Sequence, residues 1–215
     1  MADIWRETAS IRFGSVDCSD RLTLWSIFNY FQEGAISHAA DLGVGRDSLE
    51  HTRKAWVLSR LSIFIERRPA FGEEIEISTW PRGGEKLFAF RDYTIRDAGG
   101  HAVVRGRGAW LVLDLDTQKP QRPQAILESL PLNDGYDAFP SPAGPAALGQ
   151  NGDPVKVGER KALYSDIDYY GHVNNARYVQ WIQDAADFDI LTKADQIRLD
   201  INYLSQVRPG ETVEL

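Results

Sequence analysis

The chain has 215 residues, of which 43% are hydrophobic and 26% are charged. These ordinary globular proportions exclude a mainly disordered or fibrous protein, and the length is that of one or two domains. The net charge of −7 disfavours non-specific binding to nucleic acid or acidic membranes, although residues 49–110 alone carry a net charge of +3. The single cysteine, Cys18, excludes an intramolecular disulfide and a cysteine-built metal cluster.

No targeting or membrane-spanning segment is visible. The apolar runs are far shorter than the ~20 residues that cross a bilayer, and residues 1–7 lack the apolar core of a signal peptide. The four histidines show no metal-ligand spacing. We therefore expect a cytoplasmic protein that binds neither metal nor nucleic acid.

Residues 1–115 are predicted to hold one long helix followed by antiparallel strands. A short strand is expected over 10–13, and a helix over 22–42, where apolar residues recur at intervals of three and four. Four strand patterns follow, and the loop at 97–100 joins the last two; they cover 56–65, 74–80, 87–95 and 102–113. This order predicts an α+β fold with the helix on one sheet face.

Residues 116–154 contain seven of the ten prolines, which indicates a linker laid over a surface. Residues 155–215 then repeat the first part. An offset of 151 aligns Asp17 with Asp168 and Leu22 with Val173, and an offset of 138 further on aligns Gly72 with Gly210. Because strand, Asp, helix, strand, Gly and strand follow in the same order, the pattern indicates a duplication. The second copy lacks counterparts of the two longest strands, so we expect either a longer natural chain or a partner that supplies them.

The most informative stretch, residues 164–181, joins a strand end to a helix start. Gly171 permits a close approach of backbone to a ligand, and Asn174 or Asn175 can cap the first helical turn. The backbone N–H groups of Gly171, His172 and Val173 are expected to face a carbonyl oxygen. Such donors at the positive end of a helix stabilise an oxyanion by about 3–4 kcal/mol each.

Asp168 precedes His172 by four residues across a turn, so both side chains are expected at one site. A carboxylate there can attack a carbonyl directly or activate a water, and an imidazole can move protons or hold the carbonyl. Together these groups suit acyl transfer from a good leaving group such as a thiol. The sequence contains no Gly-x-Ser-x-Gly elbow and no phosphate-binding glycine loop, which counts against those two enzyme classes.

The run Gly-His-Val-Asn-Asn at 171–175, with Asp168 before it and Tyr178 and Trp181 after it, resembles the signature of hotdog-fold thioesterases. The whole chain, including 56–60, 79–81 and 110–114, resembles the acyl-acyl carrier protein (acyl-ACP) thioesterases of plants and bacteria. The resemblance implies two tandem hotdog halves, each a long helix wrapped by an antiparallel sheet, with the second half truncated. It also implies cofactor-free hydrolysis of acyl-ACP to free fatty acid and carrier thiol in fatty acid biosynthesis.

In that family the second half supplies the catalytic groups and the first half houses the acyl chain. Asp168 and His172 take the outer places of the family loop Asp-x-Asn-x-His, whereas Tyr170 stands at the Asn place. Where the family has a Glu or Cys in the next strand, this chain offers Gln206, which can orient a water but cannot act as a base. Five aromatic side chains of the first half are candidates to line this acyl pocket, although each alone is more often part of an ordinary core: Trp25, Phe28, Phe31, Trp56 and Phe64.

The first copy is expected to be chemically silent, because Arg21 stands at the histidine place. Glu33, which follows Gln32 on the first helix, is a secondary candidate because some hotdog enzymes keep a catalytic acid there. The expected partner, acyl carrier protein, is acidic, so the expected docking residues are basic: Arg53, Lys54, Arg60, Arg67, Arg68 and Arg107.

Three alternative functions remain open at this point. The same chemistry can act on acyl-CoA, or the chain can be a hotdog hydratase or dehydratase. The third alternative is a non-catalytic acyl-carrier-binding protein, for which Tyr170 and Gln206 would be signs of lost activity. A monomer and a homodimer are both open, since two tandem halves already form the pair that single hotdogs achieve by dimerising.

Overall fold

The computed structural model describes residues 3–131, 133, 135–139 and 155–215. Its centre is an antiparallel sheet with the strand order β1-β3-β4-β5-β2-β8. Five of these strands come from the first half: β1 (Trp5–Ser10), β2 (Lys54–Ile65), β3 (Glu74–Glu85), β4 (Phe88–Asp97) and β5 (Ala102–Asp114). The sixth, β8 (Ile197–Asn202), comes from the second half and pairs with β2. The mixed fold with one long helix against an antiparallel sheet confirms the predicted class.

Helix α1 (Leu24–Asp41) packs on this sheet and closely matches the predicted helix over 22–42. It begins where the Thr23 hydroxyl accepts the Ser26 N–H (3.1 Å), which satisfies one free donor of the first turn. It ends before Gly43, whose φ of +70° is the left-handed conformation that glycine favours. The apolar side of α1 is buried in the main core, so burial of that stripe positions the helix.

The short strand predicted over 10–13 is wrong. The strand there is β1, which ends at Ser10, and Phe13–Ser15 forms a 3-10 turn instead. Strand β1 lies at the edge of the sheet with most of its side chains exposed. Its residues therefore lack the apolar alternation that predicts a half-buried strand.

The duplication predicted from the two offsets is present in atomic detail. The 3-10 turns Phe13–Ser15 and Tyr164–Asp166 are 151 positions apart, as are the starts of α1 and of α4 (Asn175–Ala185). The pairing of β1 with β3 recurs between β7 (Glu159–Lys161) and β9 (Thr212–Glu214). Ser62 and Asp200, which are equivalent under the offset of 138, face each other across β2 and β8. A pseudo-two-fold axis therefore passes through this pair of residues.

Helices α1 and α4 lie side by side across this axis and run in opposite directions. The backbone N–H of Leu24, the first residue of α1, donates to Oε1 of Gln183 near the end of α4 (3.0 Å). Phe28 and Val179, which are equivalent under the offset of 151, are both buried in the main core. Each helix start thus lies beside the later turns of the other helix.

Four short elements complete the description: α2 (Arg46–Glu50), β6 (Pro120–Gln121), α3 (Gln124–Leu127) and α5 (Phe188–Lys193). Part of the predicted linker packs on the sheet face opposite α1, where Asp137 pairs with Arg107 (2.8 Å) and Tyr136 accepts the indole N–H of Trp80 (2.8 Å). The linker prolines at 140, 142, 145 and 154 lie outside the described residues. None of the described helices has the length and apolarity needed to cross a membrane.

Candidate active site

The loop from Asp168 to His172 is a tight turn closed by backbone hydrogen bonds. Asp168 N–H donates to the carbonyl of His172 (2.8 Å), and Gly171 N–H donates to the carbonyl of Asp168 (3.0 Å). Gly171 has a φ of +80°, which requires the conformational freedom of glycine. Ile167 and Val173 form a β-bridge on either side of the turn. The turn therefore brings the backbones of Asp168 and His172 together at the start of α4, and the meeting of their side chains at one site stays a prediction.

Both proposed catalytic side chains are half-buried and have few partners. One oxygen of the Asp168 carboxylate accepts the Tyr170 N–H (2.9 Å), which fixes the orientation of the group. Within the described part of the chain, the other oxygen has no hydrogen-bond donor and the His172 imidazole has no partner. The carboxylate and the imidazole thus retain hydrogen-bonding capacity for a ligand.

The backbone donors at this turn differ from those predicted. Gly171 N–H already donates within the turn, and Val173 N–H donates to the carbonyl of Val207 (2.9 Å). The assignment of these two N–H groups to the oxyanion is therefore wrong, because each already has an acceptor. Among the described residues, the N–H groups of His172 and Asn175 have no acceptor. These two groups are the donors that a carbonyl oxygen could reach.

The asparagines hold the start of α4. Asn174 is the N-cap, and its side-chain oxygen accepts the Ala176 N–H (2.8 Å). Its own N–H donates to the carbonyl of the buried residue Asp166 (2.8 Å). Asn175 is the first helical residue, and its carbonyl accepts the Tyr203 hydroxyl (3.2 Å). The helix start is fixed by these bonds without using the Asn175 N–H.

Tyr170 and Gln206 stand at the places where this chain departs from the family pattern. Partial burial raises the pKa of Tyr170 above its ordinary value, so its phenol keeps its proton and can donate. Tyr169 beside it contacts both the Tyr170 ring (centroids 5.6 Å apart) and the guanidinium of Arg46 (4.3 Å). Gln206 is exposed and makes no hydrogen bond to a described residue.

The equivalent turn in the first half has the same backbone but is closed by side chains. One oxygen of Asp17 accepts the N–H groups of Ser19 (2.9 Å) and Arg21 (3.2 Å), and the other accepts a guanidinium N–H of the buried Arg68 (2.6 Å). Leu24 N–H donates to Gln183. The two N–H groups that correspond to those of His172 and Asn175 are therefore both occupied in the first half.

A small cavity lies between α1 and the sheet of the first half. Phe31 and Tyr93 both line it and stack on each other with ring centroids 4.7 Å apart. Gln32 forms part of its wall. The rest of the wall is made of apolar and aromatic side chains: Phe28, Phe31, Leu58, Leu61, Tyr93 and Trp110. Of the five aromatic residues predicted to line an acyl pocket, Phe28 and Phe31 line this cavity.

The other three predicted pocket residues lie elsewhere. Trp25 contacts the guanidinium of Arg177 on α4 (5.3 Å). The indole N–H of Trp56 donates to the carbonyl of Val44 (3.0 Å). Phe64 alternates along β2 with buried neighbours on the α1 side, so its side chain points to the opposite sheet face. Glu33, the secondary catalytic candidate, is exposed on α1.

Two of the predicted docking residues are unavailable to a partner. Arg68 is buried against Asp17, and Arg107 is buried with Nε on Asp92 and Nη2 on both Asp92 and Asp137. Their assignment to a docking surface is wrong because sequence alone does not distinguish a buried ion pair from a surface charge. The remaining four are half-buried or exposed: Arg53, Lys54, Arg60 and Arg67.

Family models identify both halves of this architecture. The acyl-ACP thioesterase N-terminal domain model matches residues 2–129, and the C-terminal domain model matches residues 153–215. The chain belongs to the acyl-ACP thioesterase family. An oleoyl-acyl carrier protein thioesterase of Arabidopsis thaliana is 26% identical over 230 residues, which cover 98% of this chain and 61% of that protein. An acyl-[acyl-carrier-protein] hydrolase of Cuphea viscosissima is 25% identical over 92% of this chain and 50% of its own length.

Solved structures agree with this family assignment. An acyl-ACP thioesterase from Bacteroides thetaiotaomicron is 26% identical and superposes with a TM-score of 0.86, covering 98% of this chain and 85% of that one. The 12:0-ACP thioesterase from Umbellularia californica shares the fold with a TM-score of 0.80 at 20% identity, over 97% of this chain and 85% of that one. The chain spans about half the length of most of the curated plant relatives it matches.

Proposed function

We propose that this chain hydrolyses acyl-ACP to a free fatty acid and the carrier thiol, as the names of its plant relatives state for those proteins. One observation supports this most strongly. Among the described residues, the second half leaves one Asp168 oxygen, the His172 imidazole and two backbone N–H groups without partners, whereas the first half occupies the equivalent donors and both carboxylate oxygens. This open mouth of α4 is the proposed site.

The proposed reaction uses these groups in turn. The N–H groups of His172 and Asn175 hold the thioester oxygen, and Asp168 takes a proton from a water whose oxygen attacks the carbonyl carbon. The tetrahedral intermediate collapses with cleavage of the carbon–sulfur bond. The leaving sulfur takes the abstracted proton through His172, so one water and one thioester yield one acid and one thiol. Tyr170 supplies a further donor, and Gln206 orients the water.

The acyl tail is proposed to enter between α1 and the first-half sheet. The cavity there measures only about 10 Å³, which is the space of about one water molecule, so the side chains around it must move apart to admit a tail. The cavity wall is mainly apolar and aromatic, and burial of apolar surface is worth about 25 cal/mol per Å². Phe28 and Phe31 lie on α1 beside α4, so the tail and the reacting carbonyl can be held by neighbouring helices. The first half then selects the tail, while the second half performs the chemistry.

The substrate assignment is tested by thiol release from a panel of acyl-ACPs, with the same acyl groups on CoA. We expect faster turnover on ACP. Asp168→Ala is expected to lower kcat by about 10²–10⁴-fold while acyl-ACP binding is retained. The matched control is Asp189→Ala, which removes an exposed carboxylate from the same half. Preference for CoA supports the acyl-CoA alternative, and no wild-type hydrolysis of any acyl-ACP supports the non-catalytic binder.

A second experiment separates the two possible roles of Asp168. A single turnover in H₂¹⁸O leaves the carboxylate unlabelled if Asp168 acts as a base, which is the result we expect. Attack by the carboxylate itself would form an anhydride, and water attacking its aspartyl carbonyl would place ¹⁸O in Asp168, which contradicts the base role. Water attacking its acyl carbonyl labels only the acid, as the base mechanism does, so intact-protein mass spectrometry for the covalent anhydride distinguishes that case. A cytoplasmic location and a homodimer stay predictions. Cell fractionation tests the first, and light scattering tests the second.

A further inference from the structure

Gln32 occupies a position that no proposed role explains. It lies on α1 in the first half and is half-buried. Among the residues that line the aromatic cavity, it alone carries a carboxamide. Within the described part of the chain, its carboxamide has no hydrogen-bond partner. A half-buried amide beside apolar walls is costly unless it finds a partner.

The pseudo-two-fold axis indicates which atoms Gln32 faces. The offset of 151 makes Gln183 the counterpart of Gln32, and Asn175 the counterpart of Leu24. Gln183 reaches across the helix pair to accept the Leu24 N–H at 3.0 Å. The reciprocal relation places Gln32 opposite the N–H at the start of α4. That N–H, unlike its counterpart, has no described acceptor.

Gln32 therefore lies between the two parts of the proposed site. Its side chain lines the cavity assigned to the acyl tail, and its helix position faces the mouth assigned to the chemistry. In an acyl thioester, the group between the tail and the thiol is the carbonyl. A residue shared by the cavity and the mouth is thus placed to contact the carbonyl oxygen.

We infer that the Gln32 carboxamide, supplied by the first half, donates from Nε2 to the thioester oxygen beside the N–H groups of His172 and Asn175. This inference rests on the proposed function. During attack, the carbonyl π electrons move onto oxygen and strengthen all three hydrogen bonds, and no proton leaves Gln32. A neutral amide suits this role because it stabilises the developing charge without bringing a fixed charge into an apolar cavity.

The test compares Gln32→Ala with its pseudo-symmetric control, Gln183→Ala. Loss of one oxyanion donor is expected to lower kcat by about 10²-fold with little change in KM, because the bond strengthens mainly in the transition state. Gln32→Glu should be at least as slow, since a carboxylate cannot donate. Gln183→Ala removes a helix cap outside the site and should keep the wild-type kcat. Wild-type kcat in Gln32→Ala, or an effect confined to KM, would overturn the inference.

A binding measurement keeps this inference separate from the proposed function. A long-chain alkyl trifluoromethyl ketone forms a tetrahedral adduct, whereas the matching alkyl methyl thioether has neither a carbonyl nor a tetrahedral oxygen. Calorimetry should show weaker ketone binding in Gln32→Ala and unchanged thioether binding. Equal losses for both probes would contradict the assigned contact, even if the wild type hydrolyses acyl-ACP. Absence of wild-type hydrolysis would instead contradict the proposed function.

Discussion

The starts of α1 and α4 are two copies of one structure that differ in whether their hydrogen-bonding groups are occupied. Both follow a 3-10 turn, a β-bridge and a tight turn headed by an aspartate, and both begin after a capping residue. At α1 the aspartate is paired with Arg68 and the free N–H groups bond to side chains. At α4 the Asp168 carboxylate accepts the Tyr170 N–H alone among the described residues, and the N–H groups of His172 and Asn175 have no described acceptor.

This difference shows that the backbone alone does not make a reactive site. The turn that orients Asp168 orients Asp17 equally well, yet two residue exchanges and one missing hydrogen bond separate the copies. Arg68 corresponds to Gln206, Arg21 corresponds to His172, and the bond made by Gln183 has no counterpart at Gln32. Each residue exchange removes a group that blocks the start of α1 or adds one that can move a proton. Substitutions at these places should convert one condition into the other.

The largest effect on kcat is expected when the proposed site at the start of α4 is blocked. Gln206→Arg places a guanidinium where Arg68 stands in the first half, so it should pair with Asp168 as Arg68 pairs with Asp17. We expect kcat to fall by about 10²–10⁴-fold, the range for losing a catalytic base, in a steady-state thiol-release assay. Leu204→Arg adds the same charge at an exposed neighbouring position and is the control. Equal rates in the two variants would contradict the comparison.

The reverse change should affect stability rather than activity. Arg68→Gln leaves Asp17 without its buried partner, and breaking a buried pair from one side costs about 3–5 kcal/mol. The free energy of unfolding, measured by urea titration, should fall by that amount. Hydrolysis should not appear at the start of α1, because Arg21 occupies the position that corresponds to His172. A new activity that persists when Asp168 is removed would be inconsistent with this account.

Filling the first-half cavity should alter tail binding and leave the chemistry intact. A Cβ added at Gly106 would approach the Phe31 ring to 2.9 Å, and overpacking of this kind costs about 1–3 kcal/mol. Gly106→Ala should therefore displace the Phe31 ring, which lines the cavity, and this displacement should raise KM for the longest acyl chains while kcat stays at the wild-type value. The measurement is a comparison of kcat and KM across acyl-ACPs of increasing length. A lower kcat at every length would mean that the two halves do not divide the task.

The smallest effect concerns His38, which is buried on α1 beyond the cavity. Burial, followed by the charge of Arg91 (3.1 Å from Nδ1), lowers its pKa, whereas Asp3 and Asp41 oppose the shift. The neutral form is therefore favoured in the folded state. This contribution to stability is present above the unfolded pKa of about 6.5 and is lost as the pH falls below it. His38→Gln should flatten the decline of the unfolding free energy between neutral and mildly acidic pH. An unchanged slope would contradict this assignment.

Periodicity predicted much of the fold. The spacing of apolar residues located α1 and the strands β2 to β5, and the two offsets located the duplication, because these patterns report which face is buried. The edge strand β1 was misplaced because exposed strands carry little pattern. The sequence does not show contacts between residues that are far apart in the chain. Arg68 and Arg107 were therefore predicted to be surface charges, although they form buried ion pairs.

The sequence located the segment that forms the candidate site, but it did not show which of its polar atoms lack hydrogen-bond partners. The loop sequence identified Asp168, His172 and the capping asparagines, because turn chemistry is local. It could not show that Val207 occupies the Val173 N–H, since that acceptor lies on a distant segment. The importance of Gln32 depends on the packing of α1 against α4, and the only sequence signal is its alignment with Gln183.

The central claim is that the two equivalent aspartates have different roles: Asp17 is structural and Asp168 is catalytic. Asp17→Asn and Asp168→Asn, measured in parallel for unfolding free energy and for kcat on one acyl-ACP, test it most directly. We expect Asp17→Asn to lose about 3–5 kcal/mol of stability with kcat unchanged. Asp168→Asn should lose about 10²–10⁴-fold in kcat with stability unchanged. A kcat that survives in Asp168→Asn, or falls equally in both variants, would contradict the account.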